Sequence, residues 1–243
     1  MLSAKKLIWK VLNKFLTFMG LSLVRTRSIG YTSTEDRDSI IYAGVSKSTA
    51  RRIFQFEQYL ETRNLEEGVI VECGVGYGRG LTFLMKLQNR YLDKRALWAF
   101  DTFSGFPKGH QKDSDEFRKS GKPHYKDYDL AKVKSNLISA GISDFEVARI
   151  RFIQGLIPET FVYFNQAKVA LLNCDLDIYE PTKETLNFFW PKMIDGGVVM
   201  LDEYDIGTDE VKWPGAKKAV DEFCEENRIQ LQRGFGNRAF LKK

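Results

Sequence analysis

Two patterns of hydrophobic and polar positions alternate along most of this chain. Short, continuous apolar runs are typical of strands buried on both faces, and longer segments with apolar residues at helical spacing separate them. The predicted strands are "GVIVEC", "RALWAFD", "RIRFIQG", "VALLNCDLD" and "GGVVMLDEYD". Because predicted helices lie between them, the pattern indicates an α/β fold, with a mostly parallel, twisted sheet covered by helices on both faces.

The two ends of this region carry their own signals. "SKSTARRIFQFEQYLETR" (residues 46–63) predicts a helix ahead of the first strand, with Ser46 or Ser48 as its N-cap. At the C-terminus, "RIQLQRGFGNRAFLKK" (residues 228–243) has two alternating runs around a Gly-Phe-Gly-Asn turn. This arrangement predicts an antiparallel hairpin at one edge of the sheet.

The chain of 243 residues is long enough for one large α/β domain. We place this domain at residues 46–243, after an N-terminal helix and polar loop at residues 1–45. The polar stretch at 107–129 is the longest predicted loop, and a loop of this length is a candidate lid.

The N-terminal segment "KKLIWKVLNKFLTFMGLSLV" (residues 5–24) has apolar residues at helical spacing and lysines mostly on other faces. It carries too many charges for a membrane-spanning helix. Two interpretations remain open. The helix packs on the domain or on a sister subunit of a homo-oligomer, or it lies as a basic amphipathic helix on an anionic membrane surface.

Composition excludes several classes of function. The formal net charge is only +5, which is too small to indicate a nucleic-acid groove. Cys73, Cys174 and Cys224 are an odd number of cysteines at wide spacings, so neither a disulfide framework nor a zinc-ligand pattern is predicted. This cysteine usage is typical of a cytoplasmic protein.

The stretch "ECGVGYG" (residues 72–78) directly follows the first predicted strand. Ligands of open parallel sheets bind beyond the carboxyl ends of the strands, and glycines there let the backbone approach a ligand closely. The spacing differs from the dinucleotide fingerprint G-x-G-x-x-G. Glu72 would repel a pyrophosphate and attract a cation, which favours S-adenosylmethionine over NAD.

Asp101 ends the second predicted strand, where a carboxylate can accept both hydroxyls of a ribose. Gln154 and Gly155 end the third strand, where they could approach the adenine ring. The candidate donor-binding residues at these positions are Glu72, Gly74, Gly76, Tyr77, Asp101, Thr102, Gln154, Gly155 and Asp175.

Acidic residues also end the fourth and fifth predicted strands. They are Asp175, Asp177, Asp202, Glu203 and Asp205. Adjacent parallel strands place their carboxyl ends side by side, so we expect these acids to converge. Crowded carboxylates repel one another unless they are protonated or bridged by a cation, and oxygen ligands favour Mg²⁺ or Ca²⁺. Such an ion lowers the pKa of a substrate hydroxyl. The alternative is that these acids merely cap helices and face water.

From about Ile53 onward, the chain resembles the macrocin O-methyltransferase family in its glycine turn and in four further motifs. These are "FDTFSGFP", "DLDIYEPT", "GGVVMLDEYD" and "PGAKKAVDEF". The resemblance implies a Rossmann-like class I methyltransferase. Such an enzyme transfers a methyl group from S-adenosylmethionine to a hydroxyl of a sugar or glycosylated small molecule, with the help of Mg²⁺. It also implies that Asp175, Asp202 and Glu203 bind the metal, and that Ser104 lines the donor pocket.

The chain departs from the family pattern in two places. The family generally has Asp-Asp where this chain has Asp202-Glu203, and no histidine follows His124 to act as general base. The catalytic candidates are therefore Asp175, Asp177 and Asp202, with His110 and His124 added by position alone. The rival hypotheses are an NAD-dependent dehydrogenase and a non-catalytic, membrane-associated or scaffolding protein that retains the fold.

Overall fold

The computed structural model describes residues 47–107, 109–114, 129–207 and 212–243. The chain divides into two compact units, Met1–Ala50 and Arg51–Lys243, and the description below concerns the second. The predicted N-terminal helix, Ser46, His124 and most of the predicted lid lie outside the described residues.

The described elements follow the predicted order. The helices are α1 (Lys47–Thr62), α2 (Arg79–Tyr91), α3 (Leu130–Ser139), α4 (Asp144–Ala148), α5 (Tyr179–Phe189) and α6 (Pro214–Asn227). The strands are β1 (Val69–Cys73), β2 (Leu97–Asp101), β3 (Arg151–Gln154), β4 (Val169–Cys174), β5 (Met193–Asp205), β6 (Gln232–Arg233) and β7 (Arg238–Lys242). Short 3₁₀ turns cover Glu159–Tyr163, Trp190–Lys192 and Phe235–Asn237.

The seven strands form one sheet in the order β3-β2-β1-β4-β5-β7-β6. Strands β1 to β5 pair in parallel, and β7 is antiparallel to both β5 and β6. The predicted parallel sheet with a C-terminal antiparallel hairpin is confirmed. Strands β1 and β4 are neighbours at the centre, where the strand order reverses. The carboxyl ends at such a switch point open the crevice in which ligands bind.

Side chains of β1 alternate between two hydrophobic cores, as strand geometry requires. Ile70 packs in one core with Phe54 of α1 and Leu84 of α2. Val71 packs in the other core, whose helical members include Leu186 of α5 and Phe223 of α6. The sheet is therefore covered by helices on both faces, as the sequence predicts.

Two details differ from the predicted elements. Strand β5 begins at Met193, earlier than the predicted "GGVVMLDEYD" run. Helix α4 was not predicted, because five residues are too few to show helical periodicity. A capping box formed by Ser143 and Glu146 begins it.

The described part of the chain contains no helix whose length and hydropathy would allow it to cross a membrane. All three cysteines are buried and have free thiols.

Candidate functional site

The turn after β1 requires a glycine at position 74 for two reasons. Its φ is +87°, in the left-handed region that disfavours side chains. A Cβ built on Gly74 would lie 1.7 Å from the backbone carbonyl oxygen of Asp175. The chain leaving β1 thus passes directly against the end of β4, which brings the glycine turn beside the acidic residues that follow β4.

Glu72 points into the protein beneath this turn, and its residue surface is only 1% exposed. Its Oε1 accepts a hydrogen bond of 2.9 Å from Nδ2 of Asn173. A Cβ on Gly80, in the first turn of α2, would lie 1.9 Å from the same Oε1, so a side chain there would displace the Glu72 carboxyl group. Burial raises the pKa of Glu72 to about 8, although the Asn173 hydrogen bond and Arg52 oppose the rise.

Asp101 connects the end of β2 to the glycine turn. Its Oδ2 accepts hydrogen bonds from the backbone N–H groups of Val75 at 2.7 Å and of Gly76 at 3.1 Å. Its Oδ1 accepts a third from the N–H of Phe103 at 2.8 Å. The predicted ribose-binding carboxylate therefore also fixes the conformation of the turn, a role that the sequence did not reveal.

The remaining donor-binding candidates lie at the carboxyl ends of β1, β2 and β3. Gln154 is the register partner of Asp101, and its Nε2 lies 3.4 Å from the carbonyl oxygen of Thr102. The N–H of Gly155 donates to the carbonyl oxygen of Asp101 at 3.0 Å. Ser104 is exposed in the loop after β2.

Tyr77 is also exposed, on the turn itself, at 39% of its surface. Nδ2 of Asn136 on α3 donates to the carbonyl oxygen of Tyr77 at 3.2 Å. This contact, which sequence reasoning missed, ties the turn to α3.

Three carboxylates after β4 and β5 come together. Asp175, Asp177 and Glu203 each offer one oxygen, and these oxygens all lie within 4.8 Å of one another. We call these three residues the carboxylate triad. Three hard oxygen donors at such separations fit one divalent ion such as Mg²⁺ or Ca²⁺.

The triad is electrostatically strained in the absence of a cation. Burial is the largest cause that raises each pKa, and repulsion among the neighbouring carboxylates adds to it. The pKa of Asp177 rises to about 7 and that of Glu203 to about 10, while that of Asp175 rises well above its ordinary value. A bound cation would relieve this repulsion.

Asp202, one of the three predicted metal ligands, is not part of the triad as the structure describes it. Its Oδ2 lies 2.8 Å from Nη2 of Arg51, and its Oδ1 lies 3.4 Å from Nη1 of Arg238. Asp177, which was predicted to be catalytic, occupies the third place instead. The structure thus brings together Asp175 and Glu203 as predicted, and it pairs Asp202 with arginines.

The backbone of β5 explains how Asp202 and Glu203 reach the site. Leu201 pairs with Ala239 of β7 and Asp205 pairs with Arg238, so residues 202–204 leave the regular ladder as a bulge. Nη1 of the buried Arg238 donates a hydrogen bond to the backbone carbonyl oxygen of Asp202, within this bulge.

The described part of the predicted lid, residues 109–114, is docked onto the protein. Oδ1 of the buried Asp113 accepts a hydrogen bond of 2.8 Å from the N–H of Tyr179, the first residue of α5. The ring of His110 stacks on that of Tyr179 at 4.9 Å between centroids. His110 therefore lies close to the segment that carries Asp177, which keeps it a candidate base.

Comparison with known proteins identifies relatives of most of this chain. The sequence profile of the family described as Macrocin-O-methyltransferase (TylF) matches residues 20–233. Mycinamicin III 3''-O-methyltransferase from Micromonospora griseorubida is 27% identical over 168 residues, which are 67% of this chain and 62% of that protein.

A second relative is 8-demethyl-8-(2,3-dimethoxy-alpha-L-rhamnosyl)-tetracenomycin-C 4'-O-methyltransferase from Streptomyces olivaceus. It is 29% identical over 157 residues, which are 61% of this chain and 59% of that protein. The matches thus span about three-fifths of the length of these curated relatives.

Among solved structures, the O-methyltransferase NovP superposes with a TM-score of 0.67 over 98% of both chains, at 20% sequence identity. At this identity the likeness concerns the fold, and it agrees with the Rossmann-like sheet described above. The family profile covers far more than half of the sequence. The chain therefore belongs to the macrocin-O-methyltransferase family.

Proposed function

We propose that this protein is an O-methyltransferase that transfers a methyl group from S-adenosylmethionine to a hydroxyl of a sugar or glycosylated small molecule. The observation that carries the proposal is the juxtaposition of two features at the centre of the sheet. The glycine turn, fixed by Asp101, lies directly against Asp175, the first residue of the carboxylate triad.

The donor end of the site is built from the carboxyl ends of β1 to β3. Asp101 would receive the ribose hydroxyls, and Gln154 and Gly155 would border the adenine. The partly buried backbone at Gly74 and Gly76 would lie along the methionine portion. This part of the site contributes by positioning, because holding two reactants in alignment can supply about 7 to 11 kcal/mol of a reaction barrier.

The acceptor end would be formed by the triad and its neighbours. When bound, S-adenosylmethionine supplies the methyl group and a divalent ion on Asp175, Asp177 and Glu203 lowers the pKa of the acceptor hydroxyl. A carboxylate of this site would take the proton of the acceptor hydroxyl, whose oxygen would bond to the methyl carbon as the carbon–sulfur bond breaks, leaving S-adenosylhomocysteine. Asp177 is the proposed acceptor of that proton; its raised pKa belongs to the site without an ion and would fall when an ion binds.

The acceptor class is proposed from the relatives. The name of the Streptomyces olivaceus protein specifies methylation of a compound that carries a rhamnosyl group. The acidic, oxygen-rich acceptor end suits a polyhydroxylated substrate, since a hydroxyl can both bind a cation and donate to a carboxylate.

Calorimetric titration of the full-length protein with S-adenosylhomocysteine tests the proposal, with NAD as the alternative ligand. We expect micromolar binding of S-adenosylhomocysteine and none of NAD. Asp101→Ala should weaken binding at least about tenfold, because it removes the hydrogen bonds that fix the turn as well as the ribose acceptor. Asp195→Ala is the matched control, since this exposed aspartate lies near the opposite end of β5.

Binding of NAD in place of S-adenosylhomocysteine would contradict the proposal and support the hypothesis of an NAD-dependent dehydrogenase. Unchanged affinity in Asp101→Ala would remove Asp101 from the donor site. Methyl transfer from radiolabelled S-adenosylmethionine to glycosylated hydroxyl compounds, with and without a chelator, then tests the acceptor class and the role of Mg²⁺.

A further inference from the structure

Arg51, in α1, is one of two arginines among the described residues that contact Asp202 of the acidic site. Its Nη2 lies 2.8 Å from Oδ2 of Asp202, and the side chain of Asp202 is only 3% exposed. The contact is an ion pair rather than a directed hydrogen bond, because Oδ2 receives no donor in hydrogen-bonding geometry from the described residues. Separation of Arg51 from Asp202 would therefore break an ion pair but, within the described chain, no hydrogen bond of Oδ2.

The charge of Arg51 acts on the whole site. Burial lowers its pKa, but the carboxylates outweigh burial and raise it, with Asp202 the strongest, followed by the three members of the triad. Arg51 therefore partly neutralises the region that a divalent cation would occupy. Two positive charges in this half-buried region would repel each other much more strongly than in water.

Only some of the carboxylates at this site have arginine partners among the described residues. Asp202 is in contact with both Arg51 and Arg238, whereas none of the triad carboxylates lies within 4.0 Å of a lysine or arginine nitrogen in the described chain. Arg238 is buried and also bound to the backbone of β5, so it cannot leave. Arg51 can leave, because its side chain is already 37% exposed to solvent.

We propose that Arg51 is a built-in counter-cation of the acidic site, which competes with a divalent ion for Asp202. Without the ion, Arg51 pairs with the carboxylate of Asp202 and partly neutralises its charge. When an ion binds at the triad, Arg51 is repelled toward solvent and Asp202 becomes available as an additional ligand. Arg51 is thus a positioning residue, and α1 sets the affinity of the site for the ion. The inference rests on the proposed cation site.

Cation binding to four full-length proteins tests this: wild type, Arg51→Gln, Asp202→Asn and the double variant. Mg²⁺ is titrated by calorimetry, and Mn²⁺ by electron paramagnetic resonance of the free ion. We expect Arg51→Gln to tighten cation binding at least about tenfold, since it removes a competing charge. In the Asp202→Asn background the same substitution should tighten binding less than about threefold, because the contested carboxylate is gone.

Arg90→Gln is the matched control, because it removes one positive charge from an exposed position at the end of α2. It should leave cation affinity within about twofold of wild type at moderate salt. Should Arg51→Gln fail to fold, as judged by near-ultraviolet circular dichroism, Arg51→Lys takes its place. The shorter ammonium competes less well for a carboxylate, so binding should tighten about two- to fivefold.

Three results would overturn the inference: no cation binding by the wild type, unchanged or weaker binding when Arg51 is replaced, or equal tightening in the Asp202→Asn background. S-adenosylhomocysteine is titrated into the same samples to separate this inference from the proposed function. Normal binding of that ligand with either of the last two results removes only the role of Arg51, and with the first result it removes the cation site as well. Loss of that ligand in the wild type removes the proposed function, while the cation data are judged on their own.

Discussion

The carboxyl group of Glu72 is buried between the amide of Asn173 and the backbone of Gly80. Asn173 donates to it from β4, and Gly80 leaves the space that its Oε1 occupies. An acidic residue at the end of a buried strand would be costly if it were charged, which is why its pKa rises to about 8. The glycine spacing of the turn is thus explained in part by the carboxyl group beneath it.

This burial predicts a pH dependence of stability that belongs to Glu72. The native state holds the proton more tightly than the unfolded chain, so stability is full below the ordinary pKa of 4.5 and is lost as pH rises to about 8. The loss has a slope of up to about 1.4 kcal/mol per pH unit. Glu72→Gln keeps an acceptor for Asn173 and should remove this part of the slope.

Urea unfolding of wild type and Glu72→Gln between about pH 5 and pH 8 measures the difference. We expect the variant to gain stability relative to wild type steadily across this range. A difference that stays constant with pH would show that the native and unfolded states bind the Glu72 proton equally well.

At the scale of the elements, helices α5 and α6 both begin beside Asp113, a residue of the loop after β2. Helix α5 has no side-chain cap of its own at Ile178, and Asp113 supplies an acceptor to its first N–H. A Cβ on Gly215, in the first turn of α6, would lie 1.8 Å from the same carboxylate oxygen. One carboxylate therefore sits at the N-termini of both helices, where the helix dipoles favour negative charge.

Asp113→Ala should lower the free energy of unfolding by about 1 to 2 kcal/mol, the usual cost of losing a helix cap with its charge. Asp113→Asn keeps one acceptor oxygen and should cost less. Urea unfolding measures both, with Asp195→Ala as the exposed control. Equal stability of Asp113→Ala and wild type would mean that the 109–114 segment is not fastened through this carboxylate.

At the scale of the whole molecule, the site gathers acids from two strands and cations from α1 and β7. The three triad carboxylates repel one another when they are ionised, because they lie close together in a partly buried region. Arg51 and Arg238 partly neutralise the charge of Asp202. In the described chain, neither arginine lies within ion-pair distance of a triad carboxylate. On the proposed cation site, stability and cation binding would be coupled through the charge state of the triad.

This coupling predicts that Mg²⁺ stabilises the protein more at alkaline than at acidic pH. The raised pKa values of Asp177 (about 7) and Glu203 (about 10) mean that protons compete with the ion at low pH. The rise in melting temperature with millimolar Mg²⁺ should be several-fold larger at about pH 8.5 than at about pH 5.5. Sodium chloride at matched ionic strength is the control, and equal rises at both pH values would contradict a cation site on these residues.

The features that sequence alone determined are those with a local physical cause. Apolar runs separated by helical segments determined the parallel sheet, because burial on both faces requires such runs. The hairpin followed from turn chemistry. The convergence of Asp175 and Glu203 followed from one geometric fact, that the carboxyl ends of neighbouring parallel strands lie side by side.

Only the tertiary structure decided which charged groups meet. Asn173 reaches Glu72 across 101 positions of sequence, and Asp113 reaches Tyr179 across 66. Whether Asp202 or Asp177 joins the triad depends on the bulge in β5, on Arg238 from the hairpin and on Arg51 from α1. Such contacts arise from the packing of distant elements and the direction of single side chains, and neither leaves a periodic signal in the sequence.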